Sequence, residues 1–369
     1  MKYIVTGGTG FLGAALVFEL LDKTAGDIAV IVRAAGGRSP QDRFRDALVH
    51  ALDAYAYERR LLDEAAVRCR VLAGDVTQPR CGVEEVFEVE QFFHCAASLN
   101  YENRYRAEIE STNIEGTRNA LALAARLSCT RFNYVSTAYV AGKNPGVIRE
   151  ELHREVHSNN IYEQSKREAE QLVAAATPFV TRILRPSIVI GHSRTRAATA
   201  FSGFYGFVRG LVQFKKIVGR AQTGLLDRTR LRMRVDPELG INLIPVDSVV
   251  RQAVELSLAD AHAGIFHLTH PCPPKVGDVI RTIFREAELN EPEFVTDRDE
   301  MSWLDQQLDK RLDFYGSYLV GDKCFDRTRV DGVLGAADEL ACDDATISSY
   351  CQWYLDKLRA GRSATPAFR

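Results

Sequence analysis

The opening stretch Met1–Gly13, MKYIVTGGTGFLG, constrains the fold more than any other part of the chain. Tyr3, Ile4 and Val5 make a short apolar, partly β-branched run that reads as a buried strand. Thr6 and Gly7 break it, and a helical pattern begins near Phe11 and continues through Leu16, Val17 and Leu20. A strand, a tight turn and a helix N-terminus in this order let a pyrophosphate approach bare backbone, with the helix dipole and free N–H groups facing the anion. Gly7, Gly10 and Gly13 are spaced GxxGxxG, one residue wider at the front than the dinucleotide fingerprint GxGxxG. Glycines in a turn are often only turn formers. Their place between a first strand and an amphipathic helix supports the phosphate-binding reading.

The rest of the N-terminal half repeats the alternation of strand and helix. Asp27–Val32, DIAVIV, reads as a second strand, Val71–Asp75 as a third and Gln91–Ala97, QFFHCAA, as a fourth that ends in small residues where backbone must pass close to a ligand. Arg131–Val135, RFNYV, is a fifth, and Val180–Gly191, VTRILRPSIVIG, a sixth with a break or bend expected at Pro186. Surface helices are expected within Asp42–Ala66. Ser111 or Thr112 is expected to cap a helix running through Ala120 to Leu127, with Asn113 in its first turn, and a further helix is expected over Asn159–Ala176. This order predicts an α/β Rossmann-type fold, a doubly wound parallel sheet, with a smaller, mostly helical C-terminal substrate lobe. The dinucleotide-binding domain is placed at 1–191, completed by about 241–270, where NLIPV precedes a helix capped by Asp247 and GIFHLTH returns as a strand. The lobe is assigned to 192–240, where periodicity degrades, and to 271–358; 360–369 reads as a loose tail.

Composition narrows the partners. The chain has 369 residues, 46% of them apolar, and a net charge of −2 without long like-charge blocks, which argues against nucleic acid as the main partner. Its eight cysteines, at 69, 81, 95, 129, 272, 324, 342 and 351, form no CxxC pair and read as reduced thiols, mostly core filler. No apolar run approaches the ~18 residues of a membrane span, and the first strand leaves no room for a signal peptide. The expectation is a cytoplasmic protein with a small-molecule partner. His262, His267 and His270 lack metal spacing, so no metal is expected, and His94 reads as a packed core histidine.

The end of the second strand speaks to cofactor type. An acid there binds the ribose 2′-hydroxyl of NAD, whereas a basic residue accommodates the 2′-phosphate of NADP. The residue is Arg33, backed by Arg38 and Arg43, which favours NADPH; Asp75, at the third strand end, is expected under an adenine edge.

The chemistry is read from Tyr162 and Lys166 in the run YEQSK. Four residues apart on a helix, phenol and ammonium share one face. A phenol of pKa about 10 exchanges protons poorly at neutral pH, and a cation held nearby lowers that value. Thr137, just after the fifth strand, would place a hydroxyl against a substrate carbonyl oxygen. A lone YxxxK is usually a surface pair; it gains force from the order glycine turn, basic second strand end, Ser-Thr after the fifth strand, then YxxxK.

That ordered set, over about Met1–His270, resembles the extended short-chain dehydrogenase/reductase family through TGGTGFLG, STNIEGTRNALALA, YVSTAYVAG, YEQSK and RPSIVIG. Within it the chain is most similar to the thioester reductase and fatty acyl-CoA reductase branch, through VR at Val32 and Arg33, HCAA at His94–Ala97, VSTAYVAG and NLIPVD. The resemblance implies that Thr137, Tyr162 and Lys166 carry the catalysis with Ser136 as a nearby second hydroxyl. It also implies that NADPH or NADP is held by Thr6, Gly7, Gly10, Phe11, Leu12, Gly13, Arg33, Arg43, Asp75, Val76, Ala96, Asn113, Tyr162, Lys166 and Pro186. Such enzymes reduce an acyl thioester to an aldehyde and sometimes to the alcohol. With neither an adenylation or carrier domain before the strand nor a long membrane-associated region after it, the acyl group is expected in trans, on coenzyme A or on an acyl or peptidyl carrier protein. The basic run of Arg209, Lys215, Lys216, Arg220, Arg228, Arg230, Arg232 and Arg234 would attract either, or is a solvated face. Phe201, Phe204, Tyr205, Phe207 and Phe214 would line an acyl pocket or form plain core. The alternatives are an NADP(H)-dependent carbonyl reductase or dehydrogenase, a nucleotide-sugar-modifying member of the family, and a dinucleotide sensor with no catalysis.

Overall fold

A computed structural model of the protein describes residues 1–259, 263–319, 322–336 and 340–363. His262 and the end of the expected tail lie outside the described residues. The first half alternates as expected: β1 (Tyr3–Thr6), α1 (Phe11–Lys23), β2 (Ile28–Val32), α2 (Pro40–Tyr55), α3 (Arg60–Arg68), β3 (Cys69–Ala73) and β4 (Gln91–His94). A continuous helical stretch follows, α4 (Arg106–Ile109), a π-helical turn over Glu110–Glu115, and α5 (Gly116–Arg126). Then come β5 (Arg131–Val135), the short β6 (Gly146–Ile148), α6 (Ile161–Ala174), β7 (Val180–Pro186) and β8 (Ile188–Ile190). The C-terminal part contains α7 (Phe204–Ala221), α8 (Leu225–Arg228), β9 (Arg232–Arg234), β10 (Leu243–Pro245), α9 (Val246–Leu258), β11 (Gly264–Leu268) and α10 (Val276–Glu286). It ends with β12 (Glu293–Val295), α11 (Trp303–Leu319), β13 (Lys323–Phe325), α12 (Thr328–Leu334) and α13 (Asp344–Ser363).

Among the described residues one sheet of seven parallel strands runs β11-β7-β5-β4-β1-β2-β3. Its order reverses between β1 and β4, so the crevice at their carboxyl ends is where an open parallel sheet receives a ligand. Tyr3, Ile4 and Val5 are fully buried because helices cover both faces: α1 and α9 side chains pack on one, α5 and α6 on the other. A third apolar cluster joins α7, α10, α11 and α13 beyond the sheet.

Several local expectations change. Ser111 and Thr112 cap nothing, because the helix already runs from Arg106 and they lie inside its π turn; Asn113 is likewise interior. The expected sixth strand divides at Pro186 and Ser187, β7 staying in the main sheet while β8 pairs with β10. The third and fourth strands stop short of Asp75 and Cys95. Asp247 sits in the first turn of α9 behind Pro245, and its carboxylate instead accepts from the Ser193 backbone N–H and hydroxyl at 2.8 and 2.5 Å. The glycine-rich stretch after His192 contains the long helix α7; a Cβ at Gly210 would lie 2.9 Å from Leu312 of α11, so this glycine allows close helix approach. Phe204, Tyr205, Phe207 and Phe214 of α7 are buried core. Of the cysteines, Cys81, Cys129 and Cys351 are buried, whereas Cys272 and Cys324 are exposed. α13 extends through residue 363, so the beginning of the expected tail is helical.

One buried ion pair joins α6 to the sheet. Arg185 on β7 and Glu170 on α6 are fully buried and meet through two bonds, Nε to Oε1 at 2.8 Å and Nη2 to Oε2 at 2.7 Å. Breaking such a pair leaves an uncompensated charge in the interior. Glu170→Ala is expected to cost roughly 3–5 kcal/mol of stability, and Glu170→Met with Arg185→Met to recover most of it; urea denaturation of the three proteins measures both.

Candidate functional site

At the carboxyl end of β1 the chain turns through Gly7, whose φ is +73°. A Cβ there would lie 2.7 Å from the Ala96 backbone nitrogen after β4, and one at Gly13 would strike the Gly7 carbonyl. The turn therefore holds two strand ends and the start of α1 at backbone contact. Gly10, the N-cap of α1, provides no side-chain cap, and the first turn carries no acid, so its N–H groups face out beside the strand ends. This bare cradle fits the pyrophosphate of a dinucleotide. Phe11 and Leu12 are half-buried where α1 packs, and Pro186 with Leu12 lines a small apolar cavity beside β7.

Several other residues expected to touch the cofactor also hold partners within the protein. Thr6 is buried, its hydroxyl 2.7 Å from His94 Nδ1 and accepting from the Ala96 N–H at 3.3 Å. His94 is the packed histidine expected: its Nε2 lies 3.1 Å from the Thr117 hydroxyl, and burial holds its pKa at about 3. Asn113 commits its amide to Ser98 and Ser165: its oxygen accepts from the Ser98 N–H at 2.7 Å, and its nitrogen donates to the Ser98 carbonyl and Ser165 Oγ. It thus shapes the loop after β4 from behind. Val76 packs under Gly116. At the end of β2 the Arg33 side chain is largely exposed, 3.8 Å from Asp75 Oδ2, and Arg43 donates to the Arg33 carbonyl. Asp75 Oδ1 accepts from the Thr77 N–H and hydroxyl, so the carboxylate organises its own turn and faces Arg33.

Thr137 follows the carboxyl end of β5, which Lys166 of α6 reaches, and Tyr162 stands one turn before Lys166 on that helix. Asn160 caps α6, its side chain accepting from the Glu163 N–H at 2.9 Å, and fixes the first turn that carries Tyr162. Lys166, one turn on, is 2% exposed; its Nζ donates to the Val135 carbonyl at 2.6 Å and lies 4.3 Å from the Tyr134 ring centre. Burial pushes its pKa down to about 7, against the pull of the Glu170 charge. The Tyr162 phenol is raised by burial and by Glu163. Thr137 accepts from the Tyr139 N–H at 3.2 Å, and Ser136 Oγ is buried without a hydrogen-bond partner among the described residues, a hydroxyl available to a ligand atom.

Sequence reasoning missed Glu163 and Tyr318. The spacing Asn160-x-x-Glu163 is a capping signal that marks Glu163. Nothing local signals Tyr318, which arrives from α11. No group of three His, Cys, Asp or Glu able to hold a metal occurs among the described residues, and no described helix is long and apolar enough to cross a membrane.

The depressed lysine makes a stability prediction. Its folded pKa, about 7, is below the unfolded value of 10.5, so between those values the unfolded chain binds more protons and the stability cost of burying Lys166 shrinks as pH rises. Relative to the parent, cofactor-free Lys166→Met is expected to be more stable by roughly 3–5 kcal/mol below pH 6, with the difference shrinking by pH 10. Urea midpoints across that range measure it.

Comparison with known proteins agrees with this geometry. The chain is 30% identical over 296 residues to a linear gramicidin synthase of Brevibacillus parabrevis, covering 76% of this chain and 5% of that protein. It is 28% identical over 262 residues to a putative fatty acyl-CoA reductase of Drosophila melanogaster, covering 59% of this chain and 47% of that one. It thus spans less than half the length of either relative. The crystal structure of the terminal R domain from the myxalamid PKS-NRPS biosynthetic pathway superposes with a TM-score of 0.74 at 25% identity, covering 100% of this chain and 92% of that one. A UDP-glucuronic acid 4-epimerase from Bacillus cereus in complex with NAD shares the fold, with a TM-score of 0.65 at 15% identity over 96% of this chain and 99% of that one. The family model described as Male sterility protein, an NAD-binding family, matches residues 5–253, and the chain belongs to that family.

Proposed function

We propose that the protein is an NADPH-dependent reductase that converts an acyl thioester to an aldehyde. The observation that carries this reading is the buried Lys166, one helical turn after Tyr162 and bonded to the Val135 carbonyl where Ser136 and Thr137 leave the sheet. A bound reduced nicotinamide supplies the hydride. Thr137 and Tyr162 hold the carbonyl oxygen as it gains negative charge, and Tyr162 gives it a proton. Lys166 orients the cofactor ribose and, when protonated, favours the phenolate that this transfer leaves. The hemithioacetal then collapses to aldehyde and free thiol; a second hydride would give the alcohol.

Arg33, with Arg43 behind it, supports a 2′-phosphate and hence NADPH. A carrier protein is favoured as acyl donor by the charge on α7, α8 and β9. Lys215 and Arg232 are tied to Glu288 and Glu293, but Lys216, Arg220, Arg228, Arg230 and Arg234 are exposed and form no ion pair among the described residues. An acidic surface would dock there. The eight unpaired thiols support a reducing, cytoplasmic setting.

The test is oxidation of NADPH, with NADH in parallel, against acyl-CoA and acyl-carrier thioesters, with products identified by mass spectrometry. Aldehyde or alcohol from a thioester is expected; consumption of ketones with thioesters untouched would replace this reading by that of a carbonyl reductase. Tyr162→Phe is expected to lose at least about 100-fold in kcat while still binding NADPH. Arg33→Ala is expected to weaken NADPH about tenfold and leave NADH unchanged, measured by nucleotide fluorescence.

A further inference from the structure

The C-terminal part of the chain reaches the site at one point. Tyr318, near the end of α11, lies edge-on to Tyr139 with ring centres 4.7 Å apart, and Phe325 of β13 packs edge-on against the same Tyr139 at 5.6 Å. Tyr139 donates its N–H to the Thr137 hydroxyl. The Tyr318 hydroxyl accepts from Asn160 Nδ2 at 3.3 Å and donates to the Glu163 carboxylate. Glu163, next to Tyr162, is fully buried and accepts from the Asn159 N–H at 2.8 Å and from the Asn159 and Asn160 amides. Every one of these partners is a donor, which favours the carboxylate, whereas burial, the larger effect, pushes its pKa up. The half-buried Lys323 of β13 is the nearby cation. One phenol from α11 therefore touches supports of both Thr137 and Tyr162.

We propose that Tyr318 and Glu163 are positioning residues: Tyr318 docks the C-terminal segment onto the supports of Thr137 and Tyr162, and Glu163 ties the first turn of α6, which carries Tyr162, to that phenol. The inference rests on the reading of Tyr162 as proton donor. A phenol able to rotate away from the carbonyl oxygen loses the alignment that transfer needs. Glu163 holds the same turn through the Asn159 N–H and the Asn159 and Asn160 amides, so the Tyr318 phenol and this carboxylate fix it together.

The experiment uses the full chain with NADPH and decanoyl-CoA or decanal. Tyr318→Phe keeps the ring and loses the hydroxyl; kcat is expected to fall roughly tenfold with KM for NADPH within about twofold, and Tyr318→Leu, lacking the ring as well, to fall further. Glu163→Gln is expected to show the same split, a lower kcat with KM for NADPH within about twofold. Unchanged kcat in Tyr318→Phe overturns the proposal. If Glu163→Gln does not hold NADPH, Tyr318→Phe decides alone. Full activity in Tyr162→Phe overturns instead the assignment of Tyr162.

Discussion

The site depends on how one buried carboxylate is shared. Glu170 lies one turn beyond Lys166 on α6 and would be its natural counter-ion, but Arg185 takes both of its oxygens. Lys166 is left with neutral contacts, the Val135 carbonyl and the Tyr134 ring. A cation so placed loses its hydration without full Coulomb return, which is why its pKa falls to about 7. A fully ion-paired lysine would exert much less field on the phenol beside it. Arg185 is fixed in turn by the Glu151 carbonyl at 3.0 Å and lies 3.4 Å from His267 Nε2, so the sheet edge and α6 both define the electrostatics of the lysine.

A similar division of partners governs the cofactor end. Thr6, His94 and Thr117 form a buried polar chain, and Asn113 joins it through its backbone carbonyl while its side chain bonds Ser98 and Ser165. Their donors are spent on these partners, and together they fix the loop after β4 against Gly7. The turn at Gly7 presents bare backbone, which cannot be altered by substitution except by adding a Cβ where none fits. The exposed Arg33 and the Ser136 hydroxyl, which has no partner among the described residues, keep a free end.

This division explains what could be read from the residues. Gly7, Gly10 and Gly13 announce themselves because strand, turn and helix are consecutive, and Tyr162 with Lys166 because a helix turn brings them together. The strand break at Pro186 is equally local. The commitments of Thr6 and Asn113 were illegible, since Thr6 meets His94 88 residues away and Asn113 meets Ser98 and Ser165 15 and 52 residues away, and a polar residue looks the same whether it faces ligand or neighbour. The helix α7 was hidden for a related reason: its glycines lower helix propensity, and only contact with α11 shows what Gly210 is for.

Ionic balance at the end of β2 shows why residue type alone does not settle cofactor choice. Arg33 has an acid within reach, Asp75, which could neutralise it and leave nothing for a phosphate. Asp75, however, holds Thr77 through Oδ1 and meets Arg33 only through Oδ2 at 3.8 Å, with both side chains open to water. An exposed contact at that distance is worth little, on the order of 0–1 kcal/mol. On the proposed reading, a dianionic 2′-phosphate forming charge-assisted bonds with the guanidinium would outcompete it. Asp75 would then keep Arg33 near the strand end without consuming its charge.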